Sequence, residues 1–194
     1  MTWETYFFLV YLVYGIVLMS PAYASNGGGL LFGKGAPLDF GKNFVDGKRL
    51  IGDGATWRGL FGGVFLAIVI GVCESLIIFN PGVYGLIPPH LLNFVNSAVS
   101  ANLLYSALFG FLIGLGALIG DAVGSFIKRR IGIERGRPAP ILDQVDFVIG
   151  ALLFASILAP VPWEVWVVCL VLSIGLHLLT NSIAYSVGLK DVWY

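Results

Sequence analysis

The chain has 194 residues, 58% of them hydrophobic, with a mean hydropathy of +0.90. Charged residues make up 11%, against about 25% in soluble globular proteins, and 11 Lys+Arg balance 11 Asp+Glu. These values exclude a soluble enzyme, a nucleic-acid binder and a disordered regulator, and leave an integral membrane protein read as one domain over residues 1–194.

A spanning helix needs about 20 mostly apolar residues. In chain order, five stretches meet or approach that length: Thr5–Ala24, Gly59–Phe79, Ala101–Gly120, Phe147–Trp163 and Val165–Leu189. Their length and lack of alternation predict helices rather than a barrel, so the expected fold class is an all-α polytopic membrane protein with five transmembrane helices. Ala22-Tyr23-Ala24-Ser25 mimics a signal-peptidase site, but the N-terminus carries Glu4 and no basic segment, so a retained helix is expected. Glycines four apart in the third stretch, such as Gly110/Gly114 and Gly116/Gly120, predict close helix packing, as do Gly59/Gly63. Cys73 and Cys169 both sit in apolar runs and read as packing residues.

All but five charges fall in two blocks, Lys34 to Arg58 and Asp121 to Asp146. With five helices, both blocks share a side with the C-terminus, and all 11 Lys and Arg fall on that side. The positive-inside rule then predicts N-terminus outside, C-terminus cytoplasmic, and a multi-pass protein of the cell membrane with its two charged loops in the cytoplasm. The outer 80–100 loop, with Pro88-Pro89 and His90, suggests no chemistry.

Positive-inside bias requires Lys and Arg but not Asp. Seven acids nevertheless lie within the basic blocks: Asp39, Asp46, Asp53, Asp121, Glu134, Asp143 and Asp146. Mixed Asp and Lys/Arg suits a Mg²⁺–polyphosphate site, where carboxylates hold a hard cation and basic groups neutralise phosphate. Mutually paired, solvated loop charges have the same composition. Geometry weighs between the two. If the third helix continues past Gly120, Asp121, Ser125 and Lys128 share a face at about 100° per residue, with Arg129 at its edge. Asp143 and Asp146, at i and i+3 after Pro138-Ala139-Pro140, share a face if helical. One of them can cap that helix; capping leaves the second carboxylate unexplained.

The first block holds the glycine-rich run Asp46-Gly47-Lys48-Arg49 to Arg58-Gly59, which leads into the second helix, where backbone N–H groups can approach phosphate. Asp53 or Thr56 as an ordinary N-cap is the alternative. Gly28 to Lys34 matches G-x-x-x-x-G-K, but Gly35 replaces Ser/Thr and no strand precedes it, so it is not a P-loop. Asn26 and these glycines can still cover a ligand. His177 and Asn181, one turn apart on the fifth helix, form a helix–helix hydrogen bond or help line the site. Glu74 lies over 20 Å from the charged blocks at about 1.5 Å per residue, and is left out of the site.

Ser125-x-x-Lys128-Arg129 followed by Asp143-x-x-Asp146 resembles the end motif of phosphatidate cytidylyltransferases. The closer resemblance is to their archaeal branch, the CDP-archaeol synthases. It rests on Pro21 to Asn26, Leu38-Asp39-Phe40-Gly41-Lys42, Asp46-Gly47-Lys48-Arg49 and Gly52-Asp53-Gly54. It continues through Thr56-Trp57-Arg58-Gly59, Gly120-Asp121 and His177-x-x-x-Asn181, so it spans nearly the whole chain. Two departures stand out: the His-Gly-Gly connector of the bacterial enzymes is absent, and Ala55 stands where the archaeal branch usually has Lys.

The resemblance implies CMP transfer from CTP to a dialkylglycerol phosphate, giving CDP-archaeol and pyrophosphate with one or two Mg²⁺. It implies metal ligation by Asp143 and Asp146 with Asp121 or Asp46, and a catalytic role for Asp143, Asp146 and Lys128. It implies substrate binding by Asn26, Lys42, Lys48, Arg49, Asp53, Thr56, Arg58, Ser125 and Arg129. The expected partners are CTP, the lipid phosphate and membrane lipids, with no nucleic acid and a homodimer among the compatible states. The rival from another class is a small-solute or ion transporter with charged loops, disfavoured by the apolar helix centres. A CDP-alcohol phosphotransferase is disfavoured because Asp46-Gly47 is not followed by its x-x-Ala-Arg.

Overall fold

The computed structural model describes residues 3–85, 87, 89, 92, 95–96, 100–134, 137 and 139–186. The side chains of residues 3–9, 177, 180, 181 and 184 lie outside that description. The expectations for His90 and for the His177/Asn181 pair therefore fall outside the described residues. Six helices make up the described fold: α1 (Trp3–Leu31), α2 (Trp57–Ile78), the single turn α3 (Pro81–Tyr84), α4 (Leu103–Arg130), α5 (Leu142–Leu158) and α6 (Trp163–Ser186). No strand forms among the described residues; two isolated bridges, Pro37 with Thr56 and Asn43 with Arg49, close the loop between α1 and α2.

Among the described residues, two helices, α2 and α4, are long and apolar enough to cross a membrane. Helix α1 runs further than its hydropathy predicts, through Gly27-Gly28-Gly29 to Leu31. Packing explains the extension. A Cβ at Gly28 would sit 2.8 Å from the Gly63 Cα, and one at Gly63 would sit 2.5 Å from the Ser25 carbonyl oxygen. The glycines let α1 and α2 touch backbone to backbone, and this close approach fixes a segment whose own helix propensity is poor. The Gly28-to-Lys34 run is thus helical up to Leu31, which confirms that it is no P-loop.

Helix α4 does continue past Gly120, to Arg130. It packs against α1, α2 and α5. Ser25 Oγ donates to the Gly114 carbonyl at 2.9 Å across the α1/α4 contact. The α4/α5 contact is equally close: a Cβ at Gly150 would meet the Gly116 carbonyl at 2.2 Å. Leu18, Met19, Ile113, Val148, Leu152 and Val165 fill the centre and are buried. Away from the loops, Glu74 accepts a hydrogen bond from Ser20 across α1 and α2, which accounts for an acid in an apolar helix.

Candidate active site

The site stands where α4 ends, α5 begins and the loop 32–56 folds over both. Asp143 and Asp146 lie in the first turns of α5. The turn before them is forced: Ile141 adopts a left-handed φ of 71°, uncommon for a branched residue. This bend turns the Asp143 carboxylate back, where its Oδ2 accepts the Ala139 N–H at 2.9 Å. Its Oδ1 takes Lys128 Nζ at 2.6 Å, a half-buried ion pair. Asp143 therefore ties the preceding turn to α4, and no side chain caps α5 itself.

Asp146 is different. It is buried; its Oδ1 accepts the adjacent Phe147 N–H at 2.7 Å, and its Oδ2 has no hydrogen-bond partner among the described residues. Burying half a carboxylate without a partner costs on the order of 1–3 kcal/mol or more. The carboxylate sits over Gly124, where a Cβ would lie 1.9 Å from Asp146 Oδ2. A carboxylate with one oxygen left unpartnered among the described residues, against a glycine that makes room for it, fits a cation ligand. Asp121, one turn up α4, lies within electrostatic range of Lys128, Asp143 and Asp146. Among the described residues, no three His, Cys, Asp or Glu side chains gather into a ready-made metal cage. Mg²⁺ does not need one, since it usually takes one or two carboxylates plus substrate phosphates.

Asp121 also opens onto a pocket lined by Asn26, Thr56, Ala55, Gly29, Leu60 and Leu118. Thr56 closes its floor as the N-cap of α2, accepting the Gly59 N–H at 3.0 Å. The capping alternative raised by the sequence thus holds for Thr56, and its side chain lines the pocket as well. Ser125 lies half-buried on α4 between Asp121 and Lys128.

The loop is organised by a residue to which no role was given from sequence, Asp39. Its buried carboxylate accepts Arg49 Nη2 at 2.8 Å and the backbone N–H groups of Gly41, Ile51 and Gly52 at 2.9–3.1 Å. Burial alone would raise its pKa; the Arg49 guanidinium and the three N–H groups outweigh this and hold it well below the usual carboxylate range. Arg49 also reaches Asp53 at 2.7 Å. The Asp-x-Gly order of Asp39-Phe40-Gly41 was the available signal, since such an Asp folds its own chain into a turn. Because the folded carboxyl is lowered, its stabilising contribution is fully present above about pH 4 and fades as the pH falls below that. Asp39→Asn removes the charge that gathers Arg49 and three backbone N–H groups, while Arg49 keeps its pair with Asp53, so the loop loosens without stranding a buried charge. Limited proteolysis should then nick the segment 32–56 much faster than in the wild type at neutral pH.

Three basic groups strap this loop to the end of α4 through main-chain carbonyls. Lys48 Nζ donates to the Arg130 carbonyl at 3.1 Å and Arg129 Nε to the Ile51 carbonyl at 3.4 Å. Arg130 donates to the Arg49 carbonyl. The Arg130 guanidinium lies over the Phe44 and Phe126 rings at 5.0 and 4.7 Å, and pairs with Asp46 at 3.2 Å. The structure thus places Asp121, Lys128, Asp143 and Asp146 within electrostatic range of one another, and Asn26, Thr56 and Asp121 around one pocket. It places Asp46, Lys48, Arg49, Asp53 and Arg129 in the strap, with their charges already engaged. Lys34, Lys42 and Arg58 are exposed and carry no carboxylate partner among the described residues.

A family model described as CarS-like CDP-archaeol synthase matches residues 8–194. The chain belongs to the CDP-archaeol synthase family. A CDP-archaeol synthase of Methanocaldococcus jannaschii is 45% identical over 179 residues, covering 90% of this chain and 92% of that one. The Methanococcus aeolicus CDP-archaeol synthase is 44% identical, covering 96% of this chain and 99% of its own. A solved structure of an intramembrane enzyme for archaeal membrane lipid biosynthesis superposes with a TM-score of 0.70 at 37% identity, covering 88% of this chain and 94% of that one. Membership makes the chain a CTP-dependent cytidylyltransferase of archaeal phospholipid synthesis and a membrane enzyme with nucleotide and lipid substrates, and leaves the transporter reading without support.

Proposed function

We propose that the chain transfers CMP from CTP to a dialkylglycerol phosphate, 2,3-di-O-geranylgeranylglycerol phosphate in the archaeal lipid series, releasing pyrophosphate and forming CDP-archaeol. The observation that carries the site assignment is the buried Asp146 Oδ2 over Gly124, unpartnered among the described residues, within electrostatic range of the Lys128–Asp143 pair. The family assignment carries the substrates.

The chemistry suits these residues. The nucleophile is a lipid phosphate oxygen, already anionic near neutral pH, so no catalytic base is required. What the reaction needs is alignment with the α-phosphorus and neutralisation of the triphosphate. Asp146 and Asp143 would hold Mg²⁺ together with the substrate phosphates, with Asp121 as a further candidate on the pocket side, for one or two ions. Bound Mg²⁺ supplies charge neutralisation at the phosphate oxygens. Lys128 neutralises Asp143 and can turn to the triphosphate when nucleotide enters. Asn26, Thr56 and Ser125 line the approach to Asp121. Lys42 in the loop and Arg58 in the first turn of α2, both exposed, can meet the lipid phosphate or the leaving pyrophosphate. Lys48, Arg49, Asp53 and Arg129 contribute to binding by holding the loop in place. Asp46 belongs to that strap as well, and becomes a ligand only by leaving Arg130.

The single domain crosses the membrane five times, with α1, α2, α4, α5 and α6 as spans, N-terminus outside. At about 1.5 Å per residue α4 is longer than the hydrocarbon core is thick, so its last turns carry Lys128 to Arg130 into the cytoplasm. The positive charge of both loops supports that orientation. A homodimer is compatible with this arrangement. The assay is direct: purified protein receives base-labelled CTP and the dialkylglycerol phosphate with Mg²⁺ or with EDTA. Label should enter the lipid phase with Mg²⁺ and not with EDTA; no transfer with intact protein and several acceptor lipids would refute the activity.

A further inference from the structure

An aromatic ladder runs from the loop onto the outside of α2, apart from the carboxylate site. The Phe40 ring lies 5.9 Å from Trp57, and Trp57 stacks on Phe61 at 6.0 Å. Phe65 continues the same face at i+8 from Trp57. These side chains are uncovered: Phe40 is 65% exposed, Phe61 67% and Phe65 61%. Phe61 and Phe65 need no further account, because they lie on an apolar helix fit to cross a membrane. Phe40 does, because it stands in the charged loop.

Its backbone is the second observation. Phe40 adopts a left-handed φ of 49°, a strained conformation for a bulky residue, next to Gly41 at 79°. The strain is held by Asp39, whose carboxylate accepts the Gly41 N–H at 3.0 Å. A turn that only needed to reverse the chain would use a second glycine here. This turn instead puts a phenyl ring outward, in line with the lipid-facing aromatics of α2. Exposed cations flank the ladder in sequence: Lys34, Lys42 and Arg58. Aromatic rings beside Lys and Arg are the composition of a membrane–water boundary, where rings sit at headgroup level and cations meet lipid phosphates.

We infer that Phe40, Trp57 and Phe61 form an interfacial anchor that lays the loop 32–56 on the lipid headgroup layer. The occupant of this face is lipid, because the ladder is continuous with the apolar face of α2. The anchor sets the depth of the Asp39-organised loop, and with it the level at which the far side of the loop meets α4. An acceptor lipid can then present its phosphate without leaving the bilayer; this consequence alone rests on the proposed activity.

The test needs no turnover. Phe40→Trp in a Trp57→Phe background places an indole on the loop, and Trp57→Phe alone gives the blank. Both full-length proteins are reconstituted in vesicles whose acyl chains carry bromine either near the headgroup or near the chain ends. The added fluorescence should be lost to shallow bromines, less to deep ones, and be poorly quenched by aqueous acrylamide. Quenching by acrylamide with no effect of either lipid would place the loop in water and overturn the inference. Protection from all quenchers would mean a protein surface, such as a second copy, covers the face, and would overturn it too. Far-UV circular dichroism of the variant confirms that the fold persists.

Discussion

Asp146→Asn is expected to lower kcat for cytidylyl transfer by about 10³-fold or more, the scale of losing a group that stabilises developing charge. Asn has the same shape, and the Asp146 Oδ1 contact to the Phe147 N–H can be kept by the amide oxygen. The buried Oδ2, unpartnered among the described residues, becomes an NH₂, which cannot hold a cation. Folding should survive, because the substitution removes a buried negative charge whose desolvation opposed burial. The separation is measurable: thermal unfolding in detergent unchanged or raised, label transfer from CTP lost. An Asn variant with full activity would remove Asp146 from the metal site.

Gly124→Ala should reach the same carboxylate from the other side. The added methyl would lie 1.9 Å from Asp146 Oδ2 and 2.7 Å from its Cγ, so the side chain must swing away. Misplacing a catalytic group by about 1 Å costs about 10²-fold in rate, and that loss is expected here with CTP still able to bind the remaining groups. Gly120→Ala is the useful contrast. Its methyl would meet the Asp146 carbonyl oxygen at 2.2 Å and the Phe147 Cα at 3.0 Å, both backbone. Helices α4 and α5 would have to part, and stability should fall by about 1–3 kcal/mol or more. Steady-state kinetics and thermal melts on the two variants distinguish a displaced ligand from a broken helix contact. Normal kinetics in Gly124→Ala would show that Asp146 need not sit where it does.

Local periodicity explains what was legible in the sequence. Asp121, Ser125 and Lys128 share a face because α4 stays helical to Arg130, and Asp143 and Asp146 share one because α5 begins at Leu142. Both follow from spacing alone. The loop was not legible in this way. Lys48, Arg49 and Arg129, candidate phosphate ligands by sequence, have partners that spacing does not announce: carbonyls and a carboxylate within the strap. Asp46, a candidate metal ligand by sequence, pairs with Arg130, far along the chain. Such partners are set by tertiary closure, which leaves no period in the sequence. The extension of α1 through three glycines has the same origin: the helix is bought by contact with Gly63, not by propensity. Asp39 was written into the sequence as Asp-x-Gly, but its reach to Arg49 and Gly52 required the fold.

Asp146, with Asp143, is the proposed holder of the metal that accompanies the nucleotide. Mn²⁺ binding followed by electron paramagnetic resonance tests this most directly, on wild type and Asp146→Asn, with and without a non-hydrolysable CTP analogue. Because no three carboxylates converge among the described residues, the wild type should bind Mn²⁺ weakly alone and much more tightly with the analogue. Asp146→Asn should lose that gain, binding no more Mn²⁺ than the analogue does free in solution. Undiminished, nucleotide-dependent Mn²⁺ binding in the variant would place the metal elsewhere and contradict the account.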